Sequence, residues 1–435
     1  MKVEIFDIVF DDAEVNPQAV YRSGQTIAFQ VHLRLTEPVK CRAIYVKLFG
    51  NSYVHWTESR STGSGNNRRT ETVHYRSEEV YIDQKVAIYT AHLVVPAALT
   101  APETVGPSAE HHPAGEYIYP VTFQLPPTAP SSFESGIGRI RYEIKAKIDR
   151  PWKFDDYTKK NFTVIRDLDL NIRLPDEVGP FKSEEDFDVK CCYCFNCCCG
   201  KVRVSVALPK KGYVPGEQVH ITGEICNTSK TNLESVNLEI YQQSIFITPS
   251  KRKTSSRVAS SVSLSGIEQG QSMQLNHLLP VNPVPSSHIE GCNNIRVHYY
   301  FRLNADGGCC LSVKKECCEL LIGSVPLWST FGMPPPLPTA PMSDVIKQQP
   351  QPGGQVIPPP PSYAECMFGR VEIDKEEGRS FNARSQWAPS YPYFPLAATA
   401  PACGGAGVKM ENWCSRCLAT IAALPVWQYV LMRAN

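Results

Sequence analysis

The sequence predicts an all-β protein: two antiparallel β-sandwiches in tandem, trailed by a proline-rich arm. Three observations carry this. Apolar and polar residues alternate with period two along many short runs. In one, Ile140, Tyr142, Ile144, Ala146 and Ile148 oppose Arg139, Arg141, Glu143, Lys145 and Lys147. The chain also repeats itself without a gap. Tyr21, Gly24, Gln25, Ile27, Phe29 and Leu33 fall on Tyr213, Gly216, Glu217, Val219, Ile221 and Ile225, and Ile44, Val46, Leu48 and Phe49 on Val236, Leu238, Ile240 and Tyr241. Further on, Leu125-Pro126 and Pro130-Ser131-Ser132 echo Leu279-Pro280 and Pro285-Ser286-Ser287, and Ile140-Arg141-Tyr142 echoes Ile295-Arg296-Val297. Two copies at long spacing mean two similar domains, not a solenoid. After Val325 the alternation collapses into proline, glycine, glutamine and serine.

Taken in order, residues 1–168 form the first sandwich. Strands are predicted at about 3–10, 26–35, 43–49, 80–95, 117–125, 138–148 and 160–167, broken by Asn16-Pro17, Ser23-Gly24 and Gly136-Ile137-Gly138. Residues 58–72 read as a long mobile loop, and 98–104 as a short helix. A junction, 169–200, lacks alternation and carries Glu184-Glu185-Asp186 and the run Cys191 to Cys199. The second sandwich, 201–325, has strands near 201–208, 217–227, 233–247, 257–265, 271–280, 293–304 and 308–321. Lys251-Arg252-Lys253 reads as a solvated hairpin tip. Residues 326–435 cannot bury enough apolar area to offset their ordering entropy, so disorder with polyproline character is expected.

Composition narrows the function. Of 435 residues, 44 are Lys or Arg and 43 Asp or Glu, a formal charge of +1, which gives no reason to expect nucleic-acid binding. The charged N-terminus lacks a signal-type apolar stretch, and no run of about 18 apolar residues offers a span. A cytoplasmic chain is expected, its 17 cysteines free thiols or metal ligands and not disulfides. Cys191-x-x-Cys194-x-x-Cys197 has chelating spacing, and Cys309-Cys310 and Cys317-Cys318 could add thiolates. Yet neighbouring cysteines on a strand face opposite ways, and no second Cys-x-x-Cys stands at zinc-ribbon distance. Acylation would use the same cluster. The expectation is a reduced junction with no cofactor. The apolar end Cys417–Met432, broken by Pro425, is too short to span. It reads as an unstructured end or a peripheral membrane anchor, with Cys414 and Cys417 as acylation candidates. Neither Gly-x-Ser-x-Gly nor His-Glu-x-x-His occurs, Gly136-x-Gly138 lacks a third glycine, and His111-His112 reads as a solvated loop, so no catalytic residue is assigned.

Two consecutive sandwiches carrying Lys211-Gly212-Tyr213-Val214-Pro215-Gly216-Glu217, Gly138-Arg139-Ile140-Arg141-Tyr142 and Gly291-Cys292-Asn293 resemble the arrestin fold, with its immunoglobulin-like domains. The cysteine-rich junction and the tail resemble the α-arrestins, the arrestin-domain-containing proteins. The paired lysines with which visual and β-arrestins sense phosphate have no counterpart in Val9-Phe10-Asp11-Asp12. The second-sandwich cysteine of the thioredoxin-interacting member has none between Cys226 and Cys292.

Within the tail lies Pro360-Pro361-Ser362-Tyr363, a Pro-Pro-x-Tyr motif. Prolines preset φ near −65°, so such a ligand loses little entropy on docking. A WW domain's aromatic groove takes the prolines and a second pocket the tyrosine. Pro389 and Tyr391 belong to a degraded second copy, in which Ala388 replaces the first proline. The resemblance implies an adaptor that brings WW-domain HECT-type ubiquitin ligases to cytosolic regions of transmembrane receptors or transporters. Ubiquitination, endocytosis and endosomal sorting would follow, with recruitment from the cytoplasm to plasma membrane and endosomes. The alternative is a retromer-type arrestin-like trafficking scaffold without ligase recruitment.

Overall fold

Alternation becomes sheet most clearly in the strand Gly138–Asp149, where every second side chain is buried. The computed structural model describes residues 2–62, 69–90, 111–190, 198–307, 312–331, 361–372, 379–381 and 386–394. In the first sandwich, Gly138–Asp149 lies between Ala43–Thr62 and Asp156–Ile165, and Arg69–Thr90 extends the sheet beyond Ala43–Thr62. Facing it, Thr26–Leu35 pairs with Val3–Phe10 and Gly115–Gln124. The sheets meet through rings: Phe10 lies 6.2 Å from Phe162 and 5.6 Å from Tyr21. Each such ring, taken from water, contributes about 1.5–3 kcal/mol.

The second sandwich has the same plan. Phe181–Lys190, Cys198–Leu208, Gln218–Asn227 and Ser272–Pro280 form one sheet, in that order. Gly212–Tyr213, Ser312–Ile322, Ile295–Asp306, Ser235–Ile247 and Arg252–Leu264 form the other. The duplication extends to hydrogen bonds. Gly24 and Gly216 both turn at positive φ, 82° and 99°. The short strands leading into these turns run alike, for Val20–Arg22 lies parallel to Thr163–Ile165 and Gly212–Tyr213 parallel to Leu321–Ile322. The Ser132 hydroxyl accepts from Val164 N at 3.0 Å, and the Ser287 hydroxyl from Ile322 N at 2.9 Å. Tyr142 donates to Pro130 O at 2.8 Å, and Tyr299 to Pro285 O at 2.7 Å. The true counterpart of Tyr142 is therefore Tyr299, two residues past the Val297 that sequence alignment selects.

Several expectations need correction. The supposed loop 58–72 is largely strand: Val54 to Thr62 pairs with Ser77 to Arg69. Its polar composition hid it, because both faces of this hairpin's end lack a sandwich core. The junction is not devoid of regular structure. Pro175–Val178 is a helical turn, and Phe181–Lys190, through its acidic triplet, is a sheet-edge strand where exposed carboxylates cost little. His112 is buried, not solvated. It pairs through Lys40–His111 and Val39–His112, and its Nε2 lies 2.7 Å from the Tyr119 hydroxyl. The basic tip is not free either. Lys251 reaches Glu58 at 2.5 Å and lies over Tyr75, while Lys253 lies over Trp56. The long first-sandwich hairpin thus touches the second sandwich. Beside it, Asn293 N donates to Glu79 at 3.0 Å, and Phe133 meets Phe246 at 6.4 Å. Gly138 is required there by proximity, since a Cβ would come 2.8 Å from the Phe246 ring. The predicted helix at 98–104 lies outside the described residues.

Candidate functional site

The motif tyrosine lies in a strand. Ser362–Glu365 pairs antiparallel with Ser390–Tyr393, matching Tyr363 to Pro392 and Ala364 to Tyr391. This corrects the expectation that the tail around the motif is free chain. Ser362 is exposed, and its hydroxyl donates to Tyr393 O at 3.0 Å. Tyr363 is half-buried and packs on the cluster of Val20, Ile165, Cys366 and Tyr391. Pro361 is half-buried, and Pro360 lies outside the described residues.

The return strand is the anchored one. Tyr391 is 2% exposed, and its hydroxyl donates to Ser132 O at 3.0 Å. Burial raises its pKa well above the ordinary phenol value. Ser390 N donates to the Thr163 hydroxyl at 3.1 Å, and Phe394 N to Pro215 O at 2.8 Å. Gly216 lies directly beneath, where a Cβ would come 2.1 Å from Phe394 O. The turn between the strands grips the second sandwich. Met367 N donates to Pro283 O at 3.1 Å, and the Arg257 guanidinium stands 3.1 Å from the Phe368 ring centre. Cys366 is buried there, which raises its thiol pKa. Further along, Phe381 meets Phe6 edge-on at 5.9 Å.

The tail hairpin therefore bridges both sandwiches, touching Val20, Ser132 and Thr163 on one and Pro215, Arg257 and Pro283 on the other. Of Pro389 and Tyr391, read from sequence as a degraded second ligand, Tyr391 is an anchor, and Pro389 O accepts from Cys366 N within the hairpin. Sequence reasoning missed Phe368, Phe381 and Phe394. The signal available was aromatic: a chain that stays in water seldom carries Phe368, Phe381, Trp387, Tyr391, Tyr393 and Phe394 so close together.

Of the metal candidates, Cys191, Cys194 and Cys197 lie outside the described residues, as do Cys309 and Cys310. Cys317 and Cys318 are half-buried free thiols. Burial pushes them up to about 11 and about 12.

Residues 6–171 match the family described as "Arrestin (or S-antigen), N-terminal domain", and residues 199–327 its "C-terminal domain". Among similar proteins, "Arrestin domain-containing protein 17" of Caenorhabditis elegans is 28% identical over 333 residues, covering 75% of this chain and 72% of its own. "Arrestin domain-containing protein 4" of Mus musculus is 27% identical over 340 residues, covering 76% of this chain and 74% of its own. "Thioredoxin-interacting protein" of Homo sapiens is 26% identical over 307 residues, covering 68% and 69%.

Proposed function

The chain belongs to the arrestin family, in its arrestin-domain-containing (α-arrestin) branch, with an arrestin-like adaptor or trafficking role, and on that footing we propose that it recruits WW-domain HECT-type ubiquitin ligases to membrane-protein cargo. Pro360, Pro361, Ser362 and Tyr363 form the ligase hook. The sandwiches dock on cytosolic parts of transmembrane receptors or transporters. Neither half performs chemistry. Holding both raises the ligase's effective concentration at the cargo. Ubiquitination, endocytosis and endosomal sorting of the cargo follow, with the adaptor moving from cytoplasm to plasma membrane and endosomes. No helix among the described residues is long and apolar enough to cross a membrane, consistent with a recruited protein.

One observation supports the ligase half: Ser362 and Tyr363 of the hook lie in the strand of a two-stranded ribbon that, among the described residues, makes no hydrogen bond to either sandwich. The bonds to Ser132, Thr163 and Pro215 come from its partner strand and the residue after it. Such a ribbon is marginal alone. A WW domain can peel Ser362–Glu365 away without moving Tyr391, losing four residues' pairing and the half-burial of Tyr363. Capture on immobilised WW domains from HECT ligases tests this. Tyr363→Ala is expected to abolish capture, and undiminished capture removes the hook from the reading. Co-purification with coat subunits in place of ligase would favour the trafficking-scaffold alternative.

A further inference from the structure

Away from the tail, the loop after Ser287 departs from its first-sandwich counterpart. After Ser132, Phe133 continues as ordinary strand, pairing with Ile140. After Ser287, His288 and Ile289 take left-handed backbone, φ 66° and 39°. For L-residues this costs about 1–2 kcal/mol each, and for a β-branched residue it is an outlier. The turn is pinned by His288 N donating to Val297 O at 2.7 Å and Cys292 N to Ile289 O at 3.2 Å. One result is the burial of Ile289. The other is that the His288 ring is brought edge-on to His298, with centres 5.0 Å apart. The His298 Nδ1 in turn lies 2.7 Å from Glu319 Oε1.

One donor atom from each of His288, His298 and Glu319 lies within 4.8 Å of the other two. Around a tetrahedral ion with bonds near 2.0–2.1 Å, neighbouring donors stand about 3.3 Å apart, so the widest pair must close by about 1.5 Å. The Glu319 side chain, 45% exposed, is free to adjust around an ion. Two imidazoles and a carboxylate suit zinc and its neighbours, not the oxygen-seeking calcium or magnesium.

The loop also joins the sandwiches. Glu290 pairs with Arg173 at 2.5 Å and with Arg166 at 3.7 Å, and Gly291, at φ 90°, turns against Thr128 O. We propose that His288, His298 and Glu319 form a three-ligand site for a zinc-class divalent ion, with a fourth position open to water, whose occupancy stiffens the Glu290 loop where it meets the first sandwich. The three donors come from a loop and two adjacent strands, so an ion would tie the loop's strained base to the sheet.

Zinc uptake by the full chain at fixed free zinc tests this, read as the difference between wild type and variants, so that uptake by cysteines cancels. His288→Ala and His298→Ala are each expected to lose one equivalent, and Glu319→Gln to weaken that equivalent about tenfold or more. The cobalt form's difference spectrum should lack thiolate-to-cobalt charge transfer. Zinc should slow amide exchange over 289–292 in wild type and not in His298→Ala, whose metal-free circular dichroism should match wild type. Equal uptake by all chains overturns the site. Undiminished affinity in Glu319→Gln overturns its third ligand and leaves Glu319 as a hydrogen-bond partner of His298. Unchanged exchange overturns the stiffening.

Discussion

The two sandwiches share one locking scheme and spend its free end differently. In each, a glycine at positive φ follows the short parallel strand, a serine hydroxyl accepts from the last strand, and a buried tyrosine bonds a proline carbonyl. In the first, the carbonyl of the locking Ser132 accepts the tail's Tyr391, and Thr163 accepts Ser390 N. In the second, the locking Ser287 leads into the strained His288 turn. The turn at Gly24 has room beneath it, whereas Gly216 carries Phe394. Duplication supplied the skeleton, and what lies against each copy makes them different.

The glycines break this comparison most sharply. Gly216→Ala adds left-handed strain to a collision with Phe394 O, so a loss of roughly 3 kcal/mol is expected. Gly24→Ala meets nothing nearer than Pro127 at 3.6 Å and should lose about 1–2 kcal/mol. Urea denaturation compares them, and equal losses would show that Phe394 does not press on Gly216. Next comes Tyr391→Ala, which empties a fully buried site and should weaken the tail's hold by about 3 kcal/mol. Faster proteolysis within 386–394, with stronger WW capture, is the expected result; unchanged cleavage would contradict the anchor.

Smaller effects test the likeness itself. Tyr142→Phe and Tyr299→Phe each remove one buried bond and should each cost about 1–2 kcal/mol. Sites this far apart should add in the double variant. Unequal costs would mean that the tyrosines are equivalent in position only. Smallest is an acid effect in the first sandwich. Burial holds His112 below its ordinary 6.5, so the folded chain binds this proton less readily than the unfolded one. Stability should therefore fall as pH drops through about 6.5, by at most about 1.4 kcal/mol per pH unit, and His112→Gln should flatten that limb.

Legibility followed the source of each element's stability. The strand Gly138–Asp149 was plain because one face meets a core and the other water. The end of the Ala43–Thr62 hairpin was not, because much of what it packs on there, Lys251 and Lys253, lies nearly two hundred residues away. The edge strand Phe181–Lys190 was hidden by its acids, and the tail hairpin by its prolines. The Tyr363 hook was readable as a motif, but not its pairing with Pro392. His288 and Glu319 were not flagged at all, since nothing in their sequence spacing joins them.

Period-two alternation and an internal repeat were enough to determine two sandwiches and a motif-bearing arm, because burying one face of a strand leaves a mark on every second residue. Tertiary structure alone decided that the arm folds onto both sandwiches, that Tyr391 is an anchor and Tyr363 lies on the strand paired with it, and that three donors from a loop and two strands converge. Those outcomes depend on contacts between residues far apart in the chain, and such contacts impose no local period that a sequence could display.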